Sequence, residues 1–339
     1  MSPNLRTGFR RLLSTLACCA SFIAVGFGAA FAATHDFNND ARSDILWYNT
    51  SMGQGDSGQV LIWFMNGTTI LPTSGSPGSV ASPWAIVGQR DFNGDGFADI
   101  LWRNGTTGQA VIWLMNGTSV MGGGSLGTVT TDWAVFATGD FNGDGKGDIL
   151  WYNNLTGQVV IWLMSGATII GGGSLGTVTP STGWQITGTG DVNSDGKADI
   201  FWYNSSTGQV VIWLMNGASV IGGGSPGSAP VAWYASQTGD FNGDGKTDLL
   251  WVNQFTGQAL IWLMNGASVI GGGSPGSAAG WGITPLTGDY NGDGMSDILW
   301  RNPTTGQVVI WLMNGTSVTG GGSLGTVTTD WSLQFLNAD

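Results

Sequence analysis

The 339-residue chain carries 22 acidic residues against ten Lys and Arg, a formal net charge of −12, with one His and two Cys. No basic stripe is present to neutralise phosphates, which argues against a nucleic-acid partner. Every acid is Asp, Glu is absent and Lys is scarce, so the solvated face of an ordinary surface helix is missing and an all-β chain is expected.

Residues 1–32 read as a secretory signal peptide. Arg6, Arg10 and Arg11 form a basic start, Leu12 to Phe31 is mostly apolar or small, and Ala30-Phe31-Ala32 fits a small-x-small cleavage site. Both cysteines, Cys18 and Cys19, lie inside it, so the exported chain would hold no disulfide. Lipoprotein cleavage at Cys19 is the rival reading, but the apolar residues continue beyond it. No later segment approaches the ~18 continuous apolar residues of a membrane span. A secreted product is expected, periplasmic or extracellular, with residues 33–339 as a single domain.

From Asp36 onward the motif Asp-x-Asn-x-Asp-x-x-x-Asp recurs six times, at spacings of 55, 49, 51, 49 and 49 residues. These loops use 18 of the 22 Asp, leaving Asp56, Asp132, Asp330 and Asp339. Three carboxylates and an amide within nine residues repel one another unless a cation lies between them, and calcium accepts six to eight oxygen ligands in flexible geometry. The expected ligands are the side chains at positions 1, 3, 5 and 9 and the carbonyl at position 7. In the first two units these are Asp36, Asn38, Asp40, Arg42 and Asp44, then Asp91, Asn93, Asp95, Phe97 and Asp99. Next come Asp140, Asn142, Asp144, Lys146 and Asp148, and Asp191, Asn193, Asp195, Lys197 and Asp199. The last two are Asp240, Asn242, Asp244, Lys246 and Asp248, and Asp289, Asn291, Asp293, Met295 and Asp297. Position 6 is Gly in five loops, where a sharp turn is needed. Ala41 replaces it in the first, so that site is expected to be the weakest of up to six for Ca2+. An EF-hand is rejected, because an apolar run such as Ile100-Leu101-Trp102 stands where its closing Glu would be. Six ions would bring the exported chain from −15 to −3, which suggests that the acid serves metal rather than a basic partner.

Each unit also carries three Trp, which accounts for all 18. In the unit from Trp133, four apolar runs of four to seven residues are separated by the Asp loop, by Thr156-Gly-Gln and by a Gly-rich stretch. These predict four short antiparallel strands. A four-stranded unit repeated around a ring is a β-propeller, here of six blades. The run Val159 to Met164 does not alternate, as expected of a strand covered on both faces. Trp331 to Leu336 is an orphan first strand and the exported chain begins without one, so pairing of the N- and C-terminal segments would close the ring.

Stretches such as Phe136-Ala-Thr-Gly-Asp-Phe-Asn-Gly-Asp-Gly-Lys-Gly-Asp148-Ile-Leu-Trp resemble the FG-GAP or VCBS repeats of integrin α-subunit heads, some fungal lectins and many bacterial exported proteins. The resemblance covers essentially the whole chain after the leader. It implies a calcium-binding β-propeller used for adhesion or ligand binding, and many propellers of that family have seven blades, whereas six units are encoded here.

Catalytic inventory is poor. His35 reads as a solvated residue near the new N-terminus, the Lys at position 7 of three loops should point to solvent, and no base accompanies a Ser nucleophile. A non-catalytic module is expected, with an extracellular protein or glycan as partner. A calcium-dependent lectin with repeated inter-blade sites is the alternative, and a passive envelope propeller or a polysaccharide-acting enzyme stands further back. Gln59, Gln109, Gln158, Gln209, Gln258 and Gln307, with Asn49, Asn104, Asn153, Asn204, Asn253 and Asn302, are either turn-capping residues or a ring of equivalent polar pockets.

Overall fold

A computed structural model describes residues 34–51, 57–282 and 285–334. The expected leader with its two cysteines, Asp56, Asp339 and the end of the last expected strand lie outside those residues. Six antiparallel four-stranded sheets form the blades of an all-β propeller. The only helix among the described residues is a single 3-10 turn, Pro180–Thr182.

The third blade shows the plan. Its strands are Trp133–Gly139, Asp148–Asn153, Gln158–Ser165 and Thr168–Thr177, in that spatial order. First strands of successive blades touch one another, so they face the axis and the fourth strands form the rim. The second strand is buried throughout, as its unbroken Ile-Leu-Trp run requires. The third strand alternates between buried and half-buried residues, in contrast to the two-sided cover expected of it. Its outer neighbour explains this, because Gly171-Gly172-Gly173 has no side chains with which to cover it. Glycine is required there by close approach: a Cβ on Gly172, at φ +134°, would lie 2.1 Å from the carbonyl oxygen of Ile161.

Closure follows the expected route. The first blade is ordered Trp331–Leu333, Ile45–Asn49, Gln59–Trp63 and Gly75–Ser79, so its inner strand comes from the C-terminal part of the chain. Trp47 pairs with Leu333 and Asn49 with Trp331. His35 continues that inner strand from the other end, its carbonyl accepting the Asp44 N–H at 2.9 Å. It is therefore 3% exposed rather than solvated, because residues 34–36 complete a blade and do not form a free end.

Blade contacts repeat with compensating changes. The second Trp of each unit (Trp47, Trp102, Trp151, Trp202, Trp251, Trp300) is fully buried at a junction. Tyr48, Tyr152 and Tyr203 pack against the next blade's Trp102, Trp202 and Trp251. Arg103 and Arg301 do the same by cation–π contact with Trp151 and Trp47. Nearer the axis, Thr189, Thr238 and Thr287 each donate a hydroxyl to the carbonyl of the preceding blade's threonine, at 2.7–2.9 Å.

One junction exchanges volume across the interface. Gly139 faces Ala198 and Gly239 faces Ser296, small against small, but between the second and third blades Arg90 lies over Gly147. A Cβ on Gly147 would meet Arg90 Cγ at 2.9 Å and Cβ at 3.0 Å, near-backbone atoms with little freedom to move. Gly147→Ala is therefore expected to destabilise by about 1–2 kcal/mol as an overpacked contact. In an Arg90→Gly background the same change should be nearly neutral, and urea unfolding of the four variants would reveal a coupling of about 1 kcal/mol. Additive effects would contradict the exchange.

Candidate metal centres

The six Asp loops lie between the first and second strands of each blade, where the backbone must reverse within nine residues. In the second loop, Asp91 Oδ1 accepts the N–H groups of Asn93, Gly94 and Asp95, and its Oδ2 that of Gly96. Asn93 Oδ1 accepts the Asp95 N–H, and Asp95 Oδ1 that of Phe97. The remaining loops follow the same plan, so short polar side chains, rather than a sheet ladder, satisfy this reversal. Positions 4 and 6 take left-handed φ, as with Gly94 at +78° and Gly96 at +89°. Asn39 and Ala41 adopt φ of 58° and 65° in the first loop. For Ala41 that conformation is strained by roughly 1–2 kcal/mol.

Position 9 has a second role that the motif alone does not reveal. Asp99 is fully buried, one carboxylate oxygen accepting the Phe92 N–H at 2.9 Å and the other the Met115 N–H at 2.8 Å. Asp44, Asp148, Asp199, Asp248 and Asp297 make the same pair of bonds in their blades. The Met N–H groups are free to do so because the register of the third and fourth strands shifts at that point, between Leu114 and Met115 for example. Each carboxylate thus fastens its loop to the third strand of its blade.

The loops are also joined to one another. The N–H at position 8 donates to the carbonyl of position 1 in the preceding loop, and this bond recurs at all six junctions, from Ala98 to Asp36 through Ser43 to Asp289, at 2.6–2.8 Å. A second series joins Gly67, Gly117, Gly166, Gly217, Gly266 and Gly315 to the position-2 carbonyl of the preceding loop, at 2.7–2.8 Å. Side chains at position 7 follow the same path and do not simply extend into solvent. Lys146 lies against Gly94 of the preceding loop, and its ammonium approaches Asp144 of its own at 4.0 Å.

Burial shapes the electrostatics. Desolvation raises Asp99, Asp148 and Asp199 to about 7, and Asp44, Asp248 and Asp297 to about 8; the loops' other carboxylates add to the rise, and the two N–H bonds oppose it. Among the described residues, no three acidic, histidine or cysteine side chains are drawn together into a ready-made metal group. In every loop the Asn amide at position 3 instead donates to the carboxylate at position 5, at 2.8–3.3 Å. The donor set nevertheless fits a hard cation: only oxygen is offered, and the carboxylates outnumber the cations near them.

The polar Gln and Asn series is engaged largely in local hydrogen bonds. Asn104, Asn153, Asn204, Asn253 and Asn302 each accept two N–H groups within their own turns. Gln109, Gln158 and Gln258 donate to Ser125, Ser174 and Ser274 on the fourth strand. For these five Asn and three Gln, turn and strand chemistry accounts for the side chain.

Five overlapping segments, residues 36–102, 91–151, 140–202, 191–251 and 240–300, match the FG-GAP-like repeat. The chain belongs to the FG-GAP-like repeat family. No curated protein matches it. Among solved structures, a chain of the nidogen/laminin complex is 13% identical with a TM-score of 0.49, over 86% of this chain and 96% of that one. Virginiamycin B lyase from Staphylococcus aureus is 10% identical at 0.47, over 85% and 90%. The Photorhabdus luminescens Tc holotoxin pore is 16% identical at 0.46, over 87% and 13%. These likenesses are too distant to bear on the function of this FG-GAP-like propeller.

Raised carboxylates give a definite pH dependence in the chelated protein. A folded-state value near 7–8 against 3.8 unfolded means that the folded state binds more protons across that interval. The contribution is complete below about pH 4 and is lost as pH rises through 7–8. In EDTA, the melting temperature is expected to fall steadily from pH 5 to pH 8; a flat or rising profile would contradict the burial of uncompensated charge.

Proposed function

We propose that this protein is an exported, calcium-held β-propeller that acts as a non-catalytic adhesion or ligand-binding module. The observation that carries the reading is the set of six fully buried carboxylates within oxygen-rich loops that are bonded to one another around the ring. A divalent ion at each loop would supply the missing charge. The ligands would be the position 1, 3, 5 and 9 side chains and the position 7 carbonyl, from Asp36 to Asp297. Export agrees with this, since millimolar calcium is found mainly outside cells. Among the described residues no helix is long and apolar enough to cross a membrane.

The non-catalytic reading is supported by the surroundings of the reactive groups. His35 is buried in the closing blade, and the Lys146 and Lys246 ammonium groups approach aspartates of their own loops at 4.0 and 3.8 Å. A lectin is the second reading. It is favoured by the half-buried indoles Trp162, Trp213, Trp262 and Trp311, which recur from blade to blade and could each stack on a sugar ring.

Equilibrium dialysis against labelled calcium tests the metal claim, with five or six ions per chain expected and none or one contradicting it. On the loaded protein, calcium-dependent hits on a glycan array would favour the lectin. A silent array together with capture of an extracellular protein would favour adhesion.

A further inference from the structure

We infer that the junction of the first and second blades is a binding site for a small, neutral aromatic molecule. A pocket of about 180 Å³ opens there, lined by Val80, Trp84, Trp102, Val111 and Trp113. That volume is of the order of an engineered apolar cavity that stays dry and takes up benzene, ~150 Å³. Three indoles and two isopropyl groups give the pocket almost wholly carbon walls, so a hydroxyl-rich ring or an ion would lose its hydration there without replacement.

Trp102 is 1% exposed, and its indole nitrogen has no hydrogen-bond partner. All six equivalent indoles share that deficit, and at this junction the Trp102 side chain forms part of the cavity wall. That nitrogen is itself closed off from solvent, so a guest would be held by ring contact with the indoles rather than by a hydrogen bond to it.

The sequence explains why this junction is open. By strand register, Pro77 occupies the place of Leu126, Leu175 and Leu324. Each of those leucines packs into the Trp cluster of its own junction. A proline ring is shorter than a leucine side chain and cannot extend into the crevice. Pro226 and Pro275 make the same exchange in the fourth and fifth blades, so a test must read the first junction specifically.

The inference needs no metal at the pocket and is separable from the calcium reading. In calcium-loaded protein labelled with ¹⁵N-tryptophan, the Trp102 indole N–H resonance is assigned by its absence in Trp102→Phe. Titration with 4-methylphenol should shift that resonance saturably. Pro77→Leu, which installs the residue of three sister blades, should weaken the effect at least tenfold while the other indole signals stay in place. Should Pro77→Leu disturb the fold, Val111→Leu offers a second plug, the residue found as Leu61 and Leu260 at equivalent positions. An unmoved Trp102 signal, or a shift that persists undiminished in a folded plugged variant, would overturn the proposal. So would a Trp102 response to N-acetylglucosamine and not to 4-methylphenol, a result that would leave the lectin reading standing.

Discussion

The buried aspartate at the ninth position of each loop is the constraint on which the other features depend. Its two oxygens hold a loop N–H and a third-strand N–H, so it fixes the loop to the blade before any ligand is considered. Placing such a carboxylate at zero exposure without a cation raises its proton affinity by several pH units, as Asp248 and Asp297 show. A group that serves as structural staple and uncompensated charge at once is tolerable in two ways: it binds a proton, or it binds a metal. Calcium at millimolar concentration would favour the second. At a hundredfold excess over the dissociation constant, each site would contribute ~2.7 kcal/mol.

The ring distributes that local constraint. Two backbone bonds at every junction run from one loop, or from the turn beside it, to the preceding loop, and they close between the sixth blade and the first without a gap. The loops are therefore not independent ornaments on separate blades. Departures from the repeat are compensated by neighbours: Arg90 by Gly147, and Tyr by Arg at the residue that covers the next blade's Trp. Ala41 is the exception, since it keeps a strained left-handed backbone where five sister loops have Gly.

Much of the fold was readable because the repeat states each signal six times. Strand number, the Asp loops and closure by the two ends follow from spacing, alternation and the orphan strand at Trp331. The site was readable only in part. That Asp99 belongs in the motif is plain from its place, but its bond to the Met115 N–H is not, because that donor is freed by a register shift between strands. Inter-loop bonding was likewise hidden, since backbone groups leave no mark in the residue pattern. His35 departs from the expected solvated state for a related reason: its backbone bond to Asp44 places it in the closing blade, which no residue pattern marks. The open crevice at Trp102 could have been suspected from Pro77 standing where three sister units have Leu, once the register made them equivalent.

The account is tested most directly by thermal melting at pH 7.5, in excess EDTA and then in millimolar calcium. Several buried carboxylates that each exchange a desolvated charge for a bound cation should raise the melting temperature by about 10 °C or more. Coincident curves in EDTA and in calcium would contradict it, because the buried aspartates would then be held in the fold by something other than a divalent ion.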